Sequence, residues 1–256
     1  MIQEFFQFIS TRPALSYARK RGYLFEAIAM DARHKRCFTQ WQTHYLKCQQ
    51  AILKAVDACL QKNTIVIMGA GSLNDIPLDS LSRQFQKVVL VDLVFLKQAR
   101  KKAADYTNVF LEEADVSNRL SNLFEGTLAF KADASWSLPQ ETDCLVSLNL
   151  VTQLPLIPVR WLMQHHGLNE SEAGKLGKEM VKSHLNLMES FQGVRCLIAD
   201  RQIFEYDATG ELIDQFDPAW DVLLPDVIDS WQWQVIPPGE SKQKTVQINQ
   251  VGVSIW

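Results

Sequence analysis

Apolar residues follow two rhythms along this chain. Phe38, Trp41, Tyr45, Cys48, Ile52, Val56 and Cys59 recur at steps of three and four, which predicts one amphipathic helix over residues 37–61. Beyond it the rhythm changes to short continuous apolar runs: Ile65 to Met68, Val88 to Val91, Val109 to Leu111, Cys144 to Leu148 and Val194 to Ala199. Such runs predict strands buried on both faces, as in a parallel sheet. Helical spacing separates them, around Leu78, Leu81 and Phe85, then Leu96, Ala99 and Ala103. A long helix is predicted over 170–191, with Leu176, Met180, His184, Leu187 and Phe191 on one side. Repeated strand–helix units imply a parallel sheet with helices on both faces.

The end of the chain departs from that pattern. Trp231 to Ile236 and Thr245 to Ile255 alternate like strands, and only the polar segment PPGESKQK lies between them. A parallel crossover needs a dozen or more residues, so this pair is expected to be antiparallel. Asp207 to Gly210 reads as a turn between two alternating runs, hence a small hairpin. The fold expected is α/β and Rossmann-like, with about seven strands and an antiparallel last strand. Residues 1–62 are expected to form a helical segment packed on a main domain of residues 63–256 and to help roof its substrate side. The part before Phe38 carries two basic clusters, Arg19 to Arg21 and Arg33 to Arg36, and is the candidate lid.

Composition narrows the function. With 256 residues, 47% of them hydrophobic, the chain can bury a full core. Its net charge is only −3, which argues against a nucleic-acid partner because no electrostatic footprint for a phosphate backbone results. No run approaches the roughly 18 apolar residues of a membrane span. The N-terminus lacks the basic and small-residue regions of a signal peptide, so a cytoplasmic location is expected. Five cysteines without a CxxC pair fit a reducing compartment.

The candidate chemistry gathers at strand ends. Gly69-Ala70-Gly71 closes the first strand, where glycine lets the backbone turn tightly and approach a ligand. Asp92 closes the second strand, where a carboxylate can accept two ribose hydroxyls. Asp115 lies just beyond the third, with helix capping as its alternative role. Three strand ends thus converge on the edge of the sheet where α/β proteins bind ligands.

The successive segments IVIMGAGSLND, VVLVDL, EEADVS and DCLVSLNLVTQLP resemble the motifs of class I S-adenosylmethionine (SAM) methyltransferases over residues 40–256. More narrowly, ARHKRC with Trp41 and His44, then SLNLVTQLP, is similar to a bacterial group of this fold with no assigned substrate. The resemblance implies SAM as cofactor and a methyl transfer; the acceptor stays open among small molecule, protein and RNA, with a small molecule favoured. It places Gly69, Ala70 and Gly71 along the methionine moiety, Asp92 on the ribose and Asp115 near the adenine amine. Asn149, at the end of the fourth strand, would lie close to the methyl group, and Asn149 and Gln153 are the candidates for orienting the acceptor.

Two positions depart from the family pattern. Ile67 stands where an acid is common, and Leu73 replaces a third alternate glycine and is expected to narrow the loop. Asp75 is the candidate replacement for the lost charge, with capping of the next helix as its alternative. These departures motivate a second reading, a binding or regulatory protein that keeps the fold without catalysis. A nicotinamide-dependent dehydrogenase is a third; its fingerprint wants Gly or Ala where this chain has Asn74.

Other polar residues are set aside. His34, Cys37, His44 and Cys48 would spread over about 21 Å on a continuous helix, too far for one zinc ion. His184 is expected to be a core histidine, and His165 and His166 to lie at the surface, with a base on the substrate side as the alternative for one of them. Asp200 and Arg201 end the fifth strand, as a local ion pair or as a substrate contact.

Overall fold

The computed structural model describes residues 2–128 and 136–256. Four helices come first: α1 (Ile2–Ser10), α2 (Ser16–Lys20), α3 (Tyr23–Arg36) and α4 (Phe38–Asp57). Then follow β1 (Thr64–Met68), α5 (Leu78–Gln84), β2 (Lys87–Asp92), α6 (Lys97–Ala104), β3 (Val109–Glu113), α7 (Leu120–Phe124), β4 (Thr142–Leu148), α8 (Leu156–His166) and α9 (Glu170–Ser190). The chain ends with β5 (Val194–Tyr206), β6 (Leu212–Phe216), β7 (Asp229–Ile236) and β8 (Val246–Ile255).

The strands form one sheet in the order β3-β2-β1-β4-β5-β8-β7, with β6 pairing the far half of β5. Strands β1 to β5 are mutually parallel, and β8 runs antiparallel to both β5 and β7. This strand order with a reversed last strand is the Rossmann-like methyltransferase fold. The short link after Ile236 produces the reversal, as its length requires.

Alternation along the central strands separates two cores. Ile65, Ile67, Val88 and Leu90 point to the face covered by α4, α5 and α6, where they meet Ile52, Val56, Leu81 and Ala99. Val66, Met68, Val89 and Val91 point to the opposite face, against Val181, Leu185 and Met188 of α9. A capping box starts α9: the Asn169 side chain accepts from the Glu172 amide and Glu172 returns the bond.

The amphipathic helix α4 lies against β4, β5 and β7. Trp41, Cys48, Ile52 and Val56 are buried as the periodicity predicts. Phe38 is exposed, and the helix stops at Asp57, short of Cys59. The helices before it are not a loose flap. Ala18 of α2 with Leu24 and Ile28 of α3 bury themselves against Val94 and Leu96, just after β2. No helix of the described residues is long and apolar enough to cross a membrane.

Candidate active site

A cleft of about 560 Å³ opens along the C-terminal ends of the parallel strands. Gly69, Ala70, Gly71, Asp75, Asp92, Asp115, Asn149 and Gln153 all line it, so the fold brings the sequence-selected residues together. Helices α3 and α4 contribute Tyr23, Asp31, His34, Trp41, His44 and Tyr45, and the reversed end of the sheet adds Trp233 and Asn249.

The glycine loop is fixed by its backbone. Gly69 and Ala70 both donate to the Val91 carbonyl, at 2.9 and 3.2 Å. Gly69 has φ +83°, and a Cβ there would collide with the Leu148 carbonyl and the Leu150 side chain. Gly71 has φ +45°, and a Cβ would stand 3.7 Å from Asp92 Oδ2, in the space between loop and carboxylate. Leu73 also adopts a left-handed backbone, φ +61°, yet its side chain is buried with the core on the α4 face. It does not line the cleft, so the expectation that Leu73 narrows the loop is corrected: the missing glycine is absorbed by tucking leucine inward.

The two carboxylates at β2 and beyond β3 differ in spare capacity. Asp92 accepts from Gly71 N at 2.8 Å on Oδ2 and from Leu93 N at 2.7 Å on Oδ1, with a longer bond from Val94 N. A carboxylate offers about four acceptor sites, so Asp92 retains capacity for a ligand hydroxyl. Burial raises its pKa despite these amides. Asp115 takes four bonds of 2.6–2.9 Å, from Ser117 N and Oγ on Oδ1 and from Arg119 N and Leu120 N on Oδ2. Its acceptors are filled by the turn it closes ahead of α7, which leaves none for an adenine amine.

Asp75 does not cap α5, whose N-cap is Pro77 with no side-chain bond. It faces Asn149 instead, whose Nδ2 lies 3.4 Å from Asp75 Oδ2. Desolvation pushes the Asp75 carboxyl up to about 6. Asn149 sits just past β4 with φ +49°, a conformation that Asn tolerates. Its backbone amide donates to Ile198 O at 2.8 Å, tying the end of β4 to β5. Its side-chain amide also meets His44 Nε2 at 3.3 Å and Cys48 Sγ at 3.8 Å. Gln153 is exposed at the rim.

His44 is the main residue that sequence reasoning left unused. Its ring stacks on Trp233 at 3.8 Å with 9° between planes, and Trp231 Nε1 donates to its Nδ1 at 3.1 Å. An indole N–H only donates, so Nδ1 must be unprotonated and the neutral ring carries its proton on Nε2. Burial pushes the His44 pKa down to about 3, which keeps it neutral. Nε2 faces the Asn149 side-chain amide at 3.3 Å and Cys48 Sγ at 3.5 Å. His44, Cys48 and Asp75 have ligand-type atoms within 4.8 Å of one another. The tautomer rules against a metal there, because the nitrogen facing Cys48 bears hydrogen rather than a lone pair. The helix breaks at Cys37, so the spread along one continuous helix does not apply to His34, Cys37, His44 and Cys48; among the described residues these four do not gather, and His34 Nδ1 bonds Tyr45 Oη at 2.8 Å. The signal for His44 was its place among α4 apolar positions, one turn from Cys48.

The reading of Asp200 and Arg201 as a local ion pair is also corrected. Strand β5 continues past Ala199 to Tyr206, and a bulge between Asp200 and Gln202 leaves Arg201 as the extra residue opposite β8. Arg201 donates to Pro225 O and Ser254 Oγ, at 3.0 and 2.9 Å, and lies over Gly252. Asp200 lines the cleft, 5% exposed, with Oδ1 unbonded. The Asn249 side chain is the one polar neighbour that lowers its pKa, and Gln247 Nε2 donates to Asn249 Oδ1 at 2.8 Å. Burial pushes Asp200 up to about 6.

The remaining histidines lie outside the cleft. His184 Nε2 bonds Ser147 Oγ at 2.8 Å in the core, and His165 stacks on Trp161 at the surface.

No protein-family model matches the chain, and no curated protein matches it in sequence. Among solved structures it is similar to the N-methyltransferase NodS from Bradyrhizobium japonicum WM9, in complex with S-adenosyl-L-homocysteine (SAH). That match has 9% identity and a TM-score of 0.39, covering 82% of this chain and 86% of that one. A DhpI–SAM–HEP complex matches at 12% identity and TM-score 0.41, over 93% and 85%. The 1,6-didemethyltoxoflavin-N1-methyltransferase from Burkholderia thailandensis matches at 11% and 0.37, over 90% and 89%. Likeness this loose lends no weight to a particular activity; the strand order and the cleft stand on their own.

Proposed function

We propose that the protein is a SAM-dependent methyltransferase acting on a small molecule. One observation carries the reading. The Gly69–Gly71 loop and the Asp92 carboxylate meet at adjacent strand ends, with acceptor capacity left on Asp92 and open space at Gly71. That arrangement fits a ribose with a chain running along the loop. Gly69, Ala70 and Gly71 would flank the methionine part, Asp92 the ribose hydroxyls, and Asp75 the ammonium that Ile67 cannot serve. Asp115 would hold the turn beneath the adenine rather than bind its amine.

Bound SAM would supply a methyl carbon made electrophilic by its sulfonium. The chain's own contribution is positioning: it must hold the acceptor in line with that carbon and keep water out. Asn149 and Gln153 would orient the acceptor from the β4 side, under a roof made by α3 and α4. No catalytic triad is needed for such a reaction. The non-catalytic reading loses one of its two supports, since Leu73 packs into the core instead of obstructing the loop. Calorimetric titration with SAM and SAH tests the proposal: one site per chain, weakened by Asp92→Ala, is expected, and absence of binding rejects it.

A further inference from the structure

We propose that the part of the cleft between the ends of β4 and β5 is a subsite for a protonated amine, with the Asp200 carboxylate as its acceptor. This rests on the methyltransferase reading and names its substrate class, an amine-bearing small molecule.

Asn149 and Asp200 both border Cys48 of α4, where β4 and the parallel part of β5 end. Leu148 of β4 pairs with Ile198 of β5, so Asn149 and Asp200 both lie just beyond the last paired rung. Asp200 carries a buried oxygen, Oδ1, that accepts no hydrogen bond. Buried acceptors left unpaired are costly, and their partner must bring donors. An ammonium brings three donors, no acceptor and a positive charge; a hydroxyl brings one donor and no charge.

Charge in the cleft points the same way. Other charged groups lining it are neutralised locally: Asp31 by Lys35 at 2.7 Å, and Glu26 by Arg160 at 3.5 Å. Asp92 and Asp115 are held by backbone amides. Asp75 faces Asn149 and feels Lys102. Asp200 has only the neutral Asn249 amide, because the bulge sends its neighbour Arg201 to Pro225 and Ser254. Its near neighbours, Cys48 and His44, are uncharged at neutral pH. Trp41, Tyr45 and Trp233 also line the cleft. Asp75 and Cys48 border the same Asn149 side chain, so a divalent ion is the competing occupant that the test includes.

The test uses the full chain with and without saturating SAH at pH 7.5. The probes are 2-phenylethylamine and hexylamine, each against the alcohol of the same skeleton, with binding read by calorimetry. The amines are expected to bind at least about tenfold tighter than the alcohols, the scale of one charge-assisted hydrogen bond. Asp200→Asn should abolish that preference while SAH affinity stays within about twofold, which also shows that the variant is folded. Parity of amine and alcohol, no amine binding, a preference that survives Asp200→Asn, or displacement of the amines by magnesium or calcium each overturns the subsite. If the wild type binds amines through Asp200 but not SAH, the subsite stands and the methyltransferase reading falls.

Discussion

Asp200→Asn should make the ligand-free protein more stable at neutral pH. The folded-state pKa of Asp200 is raised to about 6 from an ordinary 3.8 by burial. Below pH 4 the carboxyl is protonated in folded and unfolded chains alike, and it imposes no penalty. As pH rises from 4 to 6 the unfolded chain ionises first, and stability falls by about 1.4 kcal/mol per pH unit. Above pH 6 the loss levels off at about 3 kcal/mol. Asparagine has nearly the same shape and carries no charge, so it escapes this loss. It leaves an amide donor without a partner, at about 1–2 kcal/mol independent of pH. The net expectation is a variant about 1–2 kcal/mol more stable than wild type at pH 7.5 and no more stable at pH 4. Urea unfolding at both pH values, with the midpoint difference converted through a common slope, reads the effect. Asp75 titrates in the same window, but it is present in both proteins and cancels to first order. A difference that does not change with pH, or a variant less stable than wild type at pH 7.5, would refute the claim that Asp200 is held in a desolvated, unpaired state.

Gly69→Ala should destabilise the fold by roughly 2–4 kcal/mol, through left-handed strain and the collision with the Leu148 carbonyl; a thermal or urea midpoint near wild type would contradict the loop geometry. Asp92→Ala should weaken SAH binding by about 10- to 100-fold, with some loss of stability from the Gly71 and Leu93 bonds; a folded variant with unchanged affinity would remove Asp92 from the ribose site. Nitrogen-15 NMR of the His44 ring should show a neutral Nε2–H tautomer that does not titrate between pH 5 and 8, and a shift in Nδ1 on Trp231→Phe; a protonated Nδ1 would revive the metal reading. Deleting residues 1–30 should expose Val94 and Leu96 and lower the unfolding midpoint or cause aggregation; a stable truncated protein with altered turnover would instead support a detachable lid.

Most of the fold was legible because each central strand is a short run of apolar residues bounded by Gly, Asp or a polar helix. The reversal at the end was legible from one segment length, since PPGESKQK cannot cross a sheet. Asp92 and the glycine loop were legible because their position at strand ends is local in sequence. His44 was not, since its meaning depends on Trp231 and Trp233, almost two hundred residues away, and only the reversed strand brings them against α4. Asp200 was visible as a residue but not as an isolated charge, because a bulge in β5 decides where Arg201 points. Asp115 illustrates the opposite case: its local capping role, offered as an alternative to adenine contact, consumes every acceptor it has.

The most direct test of the account is calorimetric titration of the wild-type chain with SAH, repeated on Asp92→Ala. Saturable binding at one site per chain, weakened by about 10- to 100-fold in the variant, is the predicted result; a folded wild-type protein that binds neither SAH nor SAM would contradict it.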